Sequence, residues 1–93
     1  MPAQSLPQRP PMNGAGEESF PEELPALRVR LDSLEEEEKL WTAYIKELSA
    51  LEDPATGVFY AAELHEARQY RMVLRYRGDF CRARLKRLNN GFI

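Results

Sequence analysis

The chain has 93 residues, of which 43% are hydrophobic, 30% are charged and seven are proline, and its formal net charge is −2. This near-neutral balance does not favour nucleic acid or an anionic membrane as a partner. One cysteine cannot form an internal disulfide, and one cysteine with one histidine cannot build a Cys/His zinc site. No apolar run approaches the roughly 20 residues of a membrane-spanning helix. The N-terminus also lacks the basic and apolar regions of a secretory signal, so we expect an intracellular protein of the cytoplasm or nucleus.

The N-terminal part of the chain has the composition of a disordered tail. Six of the seven prolines fall within the first 25 residues, where apolar side chains are sparse. Such a segment buries too little apolar surface to offset the entropy that ordering would cost, so residues 1–21 are predicted to be a disordered proline-rich tail. The sequence Pro7-Gln8-Arg9-Pro10 also has the spacing of a polyproline ligand for an SH3-type groove, although a plain flexible tail accounts for the same residues.

From residue 24 onward, apolar residues recur in alternating steps of three and four, which is the pattern of a coiled-coil helix. This pattern predicts a first helix over about 24–52, which ends at Asp53 because a residue before proline avoids the helical conformation. A turn over 53–57 follows, and the same spacing predicts a second helix over about 58–88. The packing line of the first helix is Leu24, Leu27, Leu31, Leu34, Glu38, Trp41, Ile45, Leu48 and Glu52.

A short turn between two long helices favours an antiparallel pair. The predicted fold class is therefore all-α, an antiparallel two-helix, coiled-coil-like hairpin over residues 22–93. In this register Trp41 faces the small Ala67, and Glu38 faces Arg71 as an acid–base pair. The acid-rich first helix would attract the base-rich second helix, and Gly78 would mark a kink or a close crossing of backbones. The packing line of the second helix is Tyr60, Leu64, Ala67, Arg71, Leu74, Gly78, Cys81, Leu85 and Leu88.

The second helix carries more apolar surface than one partner helix can cover. A further apolar arc is turned by roughly a right angle or more from its packing line, and a contiguous row of exposed aromatic residues is typical of a binding surface. We expect this arc to dock a helix of another protein or of a second copy, which includes a domain-swapped dimer. Alternatively, Phe20 or Phe92 covers it from the same chain. The predicted partner face consists of Met72, Val73, Tyr76, Phe80, Arg82, Arg84, Lys86 and Arg87.

The basic residues at the end of the second helix suggest an alternative function. Arg82, Arg84, Lys86 and Arg87 could neutralise the phosphates of nucleic acid or another polyanion, and such binding would weaken steeply with added salt. They could equally pair with the acidic residues of the first helix, although in the predicted register they lie beyond the run Glu35–Glu38.

No residue pattern predicts catalytic, cofactor-binding or metal-binding residues. The acidic run in the first helix reads as a solvated face, His65 has no second ligand at helical spacing, and Cys81 falls on the packing line as a small buried residue. The sequence therefore predicts a non-enzymatic protein–protein interaction module, an adaptor or a small subunit of a larger helical assembly.

Overall fold

The computed structural model describes residues 6–12 and 23–89, and its helices form an antiparallel hairpin. Helix α1 spans Leu24–Leu51 and helix α2 spans Ala61–Asn89, and the two helices pack against each other. Within the described residues an isolated β-bridge is the only extended pairing, so the all-α hairpin is confirmed. The predicted disorder of residues 1–21 falls largely outside the described residues, as do the predicted covers Phe20 and Phe92.

The ends of α1 follow from the prolines on either side. Pro25 stands in the first turn, where its missing N–H is not needed, and the N–H of Leu27 bonds to the carbonyl of Glu23 at 2.9 Å. The helix stops at Leu51, and Glu52 is already extended with φ −68° and ψ 137°. Glu52 therefore leaves the predicted packing line, and its carboxylate accepts a hydrogen bond of 2.9 Å from the backbone N–H of Tyr60.

Helix α2 begins at Ala61, three residues later than the predicted start at 58. The cause is a backbone pair in which Asp53 and Val58 exchange two N–H to carbonyl hydrogen bonds of 2.9 Å each. This pairing holds Val58 in an extended conformation, so it cannot enter a helix. Gly57 closes the turn with φ +76°, a left-handed conformation that glycine adopts without a steric penalty.

The core lies along the contact line of the two helices and centres on Trp41. Trp41 is fully buried, and its ring centroid lies 4.7 Å from that of Tyr70 and 5.6 Å from that of Tyr44. Trp41 and Ala67 line the same cleft, which confirms their predicted proximity. The other fully buried large side chains are Leu27, Leu34, Leu48, Leu74 and Cys81.

The predicted pair of Glu38 with Arg71 at the centre of the interface is wrong by one residue on each helix. Glu37 and Tyr70 occupy the buried positions, and the Tyr70 hydroxyl donates a hydrogen bond to the Glu37 carboxylate. Glu38 lies at the edge and pairs with Arg75, at 2.7 Å, instead of Arg71. A tyrosine at this position buries an apolar ring and also presents a hydroxyl to the buried carboxylate. Arg30 is likewise buried on α1.

Gly78 does not mark the kink or close crossing that its position suggested. Helix α2 continues through it, and the nearest atoms to a Cβ added there belong to the Arg82 side chain, at 3.5 Å or more. Because that distance is ordinary contact, we expect Gly78→Ala to raise the free energy of unfolding by about 1 kcal/mol, the difference in helix propensity. Urea unfolding followed by circular dichroism measures the change.

Ala83→Gly is the matched control for this substitution, because Ala83 is an exposed residue in the same helix. It should lower the free energy of unfolding by about 1 kcal/mol through the same difference in propensity. A destabilised Gly78→Ala protein would contradict the prediction and point to a tight backbone contact.

Candidate docking surface

Helix α2 presents an apolar surface, here called the outer face, on the side away from its core residues. At about 100° per residue, Tyr76 lies roughly 200° around the helix from the buried Leu74. Tyr76 is 74% exposed and Met72 is 63% exposed, which is unusual for large apolar side chains in a row. The outer face consists of Met72, Val73, Tyr76 and Phe80.

Two aromatic residues that flank this arc in the sequence do not belong to the outer face. Tyr70 is buried between the helices and forms part of the core, whereas Phe59 lies in the interhelical loop and is exposed. Leu88, predicted to pack inward, is exposed near the end of α2. The apolar row is therefore confined to about two and a half turns, from Met72 to Phe80.

The structure divides the predicted basic cluster into separate roles. Arg82 forms ion pairs of 2.8 Å with Glu35 of α1 and with Asp79 of its own helix. Its hydrogen bond to Glu35 raises the pKa of Arg82. The alternative interpretation, that the basic residues pair with acids of the first helix, holds for Arg82, because its side chain reaches Glu35 across the edge of the interface. Lys86 and Arg87 are exposed in the last turn, where cations also stabilise the negative end of the helix dipole.

Basic residues border the outer face on both sides. Helix α2 carries eight arginines and lysines against three acids, and two of those acids, Glu66 and Asp79, already pair with arginines. Helix α2 thus contributes an excess of positive charge around the apolar row, which α1 offsets in part because Arg75 pairs with Glu38. By helical position, the bordering bases are Arg68, Arg75 and Lys86 on one side and Arg77 and Arg84 on the other.

The described residues do not assemble a chemical site. No group of three His, Cys, Asp or Glu side chains that could hold a metal ion occurs among residues 6–12 and 23–89. Cys81 is fully buried, and burial raises the pKa of its thiol against the opposing charges of Arg30 and Arg82. Within the same ranges, neither helix offers a stretch long and apolar enough to cross a bilayer.

One cleft in the hairpin was not predicted, and it is here called the arginine cleft. It is lined by Arg9 of the N-terminal segment together with Trp41, Tyr44, Glu63, Glu66 and Ala67 of the two helices. The space left between these side chains is about 30 Å³. The residues that contact Arg9 come from both helices. The spacing of apolar residues within one helix does not show which residues of two helices meet at one place.

No protein-family model, curated protein or solved structure matches this chain. The arguments for function therefore come from the geometry and charge of the described residues.

Proposed function

We propose that this chain is a non-enzymatic protein–protein interaction module, an adaptor or small subunit of a larger helical assembly inside the cell. Its outer face docks a helix of another protein. The observation that carries this proposal is the row from Met72 to Phe80, which stays exposed although the opposite side of α2 is closely packed. Methionine and aromatic side chains are enriched in interfaces because they bury a large apolar area.

Charge indicates the chemistry of the partner. The bases bordering the outer face would lie beside the flanks of a docked helix, so a partner with acidic residues on both sides of its apolar line complements them. Two outer faces of the same chain would instead bring two excesses of positive charge together. This repulsion argues for a different protein and against a second copy.

A photocrosslinking experiment tests this proposal. The full chain carries p-benzoylphenylalanine in place of Tyr76 and is irradiated in cells. We expect a discrete adduct with one or a few proteins, and sequencing of the adduct should show an acidic amphipathic helix at the crosslinked site. The adduct should survive nuclease treatment and disappear when Met72→Gln and Phe80→Gln are added, because these remove the flanking apolar contacts.

The matched control carries the same photoreactive residue at Val29 of α1, which is 66% exposed but lies outside the outer face. It should not give the same adduct. Equal adducts from both positions would contradict the proposal, and so would an adduct between two copies of this chain. An adduct that is lost with nuclease and with added salt would instead favour the alternative of nucleic-acid or polyanion binding through the basic residues of α2.

A further inference from the structure

A short N-terminal segment, residues 6–12, lies against the hairpin at the arginine cleft. Arg9 forms an ion pair with Glu66 of α2, and its guanidinium carbon lies 5.7 Å from the ring centroid of Trp41 in α1. The same guanidinium donates to the sulfur of Met12 at 3.3 Å. Pro7 and Pro10 are half-buried on either side of the arginine. The contact is therefore made by a whole segment and not by one side chain.

The cleft has the chemistry of an arginine site. The flat guanidinium can stack on an aromatic face while its N–H groups bond to a carboxylate, a combination that lysine does not reproduce. Trp41 supplies the face, and its orientation is held by Tyr44 and Tyr70 on either side. Glu66 supplies the carboxylate, and Glu63 adds a second negative charge to the cleft lining.

The proline content of the segment lowers the cost of docking. Each proline locks its own φ, and a residue before proline is restricted to extended conformations, which here applies to Leu6, Arg9 and Pro10. The segment thus has little backbone freedom to lose when it docks. The restricted backbone lowers the entropy cost of ordering residues 6–12, and a high cost of ordering was the reason for predicting disorder there.

The covalent connection allows the same molecule to supply the ligand. Trp41 lies roughly 27 Å along α1 from Glu23, at 1.5 Å per residue. The ten residues between Met12 and Glu23 can span about 36 Å when extended. The segment can therefore reach the cleft of its own hairpin, and intramolecular attachment gives it a high effective concentration there.

We propose that the arginine cleft is a binding site for an arginine held between prolines, and that residues 6–12 are its ligand within the same chain. Docking engages the side chains of Pro7, Arg9 and Pro10, which are also those that an SH3-type groove would recognise. The docked segment is therefore masked, and it becomes available to a groove-binding partner only after Arg9 leaves the cleft. This inference is independent of the outer face and of its partner.

The single tryptophan of the chain is Trp41, so its fluorescence reports directly on the cleft. The full chain is compared with Arg9→Ala and Glu66→Gln by acrylamide quenching. Arg9→Ala loses both the ion pair and the cation–π contact, which lowers the ratio of docked to undocked segment by about tenfold, so its quenching constant should rise about twofold or more. Added salt should raise it in the original chain but much less in the variants.

Arg28→Ala is the matched control, because it removes an exposed arginine of α1 and should leave the quenching constant unchanged. The double variant Arg9→Ala with Glu66→Gln should quench like Arg9→Ala alone, since the ion pair is already lost when Arg9 is removed. Glu66→Gln alone should have a smaller effect, because it leaves the contact of Arg9 with Trp41 in place. Circular dichroism should show the same helix content in all of them. Quenching should also be independent of protein concentration, as docking within one chain requires.

Three results would overturn the proposal. The first is an unchanged quenching constant in Arg9→Ala, which would mean that the segment does not cover Trp41. The second is additive effects in the double variant, which would mean that Arg9 and Glu66 act separately. The third is quenching that changes with protein concentration, which would assign the ligand to a second copy.

Discussion

Replacing Trp41 with alanine is expected to abolish most of the cooperative unfolding of the hairpin. Trp41 is the largest fully buried side chain and joins α1 to α2 through its contact with Tyr70. Substitutions of a buried tryptophan by alanine cost about 3–5 kcal/mol through lost transfer energy and the cavity left behind. A core built by fewer than about 70–80 residues, as in this hairpin, rarely supplies more than about 3–5 kcal/mol in total. The variant should therefore be largely unfolded without denaturant.

Urea unfolding followed by far-ultraviolet circular dichroism measures this effect, with Trp41→Phe as the matched control. The indole N–H of Trp41 is buried and donates no hydrogen bond within the described part of the chain. Phenylalanine thus loses ring area but no hydrogen bond, and we expect it to keep a cooperative transition. Equal destabilisation by Trp41→Phe and Trp41→Ala would contradict this expectation. A stable Trp41→Ala protein would show that the core does not depend on this residue.

Replacing Tyr70 with phenylalanine is expected to cost about 1.5–3 kcal/mol, the usual contribution of a hydrogen bond to a charged group. The substitution keeps the ring that packs on Trp41 and removes only the hydroxyl that donates to the buried Glu37 carboxylate. The loss is large for one oxygen atom because the Glu37 carboxylate is buried, so little water can replace the hydrogen bond that it loses.

The same urea titration measures this change, and Tyr76→Phe is the control. Tyr76 lies on the outer face and is highly exposed, so loss of its hydroxyl should change stability by less than about 0.5 kcal/mol. Equal effects of Tyr70→Phe and Tyr76→Phe would show that the hydrogen bond to Glu37 contributes nothing to stability. That result would leave the apolar contacts alone to set the register of the two helices.

The arginine cleft and the outer face belong to different kinds of interaction. The cleft is small and joins both helices, and Arg9 of the same chain pairs with Glu66 there. The outer face is a row along one helix, bordered by basic residues on both sides. The quenching and photocrosslinking experiments therefore test independent proposals, and either can fail without affecting the other.

The sequence by itself determined the two helices, the turn and the antiparallel pairing. These features depend on local signals, because apolar residues spaced by three and four define a helical face and a proline after Asp53 disfavours continuation of the first helix. The proximity of Trp41 and Ala67 followed from the same spacing, once the position of the turn was known. The late start of α2 did not follow, since the backbone pair of Asp53 with Val58 forms only when the turn closes.

The tertiary structure alone decided which polar side chains meet. The pattern of apolar residues placed Glu38 and Arg71 at the centre, but small changes in helix rotation and axial shift put Glu37 beside Tyr70 and bring Arg82 to Glu35. A polarity pattern does not record the reach of a long side chain or the hydroxyl on an aromatic ring. The arginine cleft was hidden for the same reason, because Arg9 and Glu66 are 57 positions apart and meet only after the hairpin has formed.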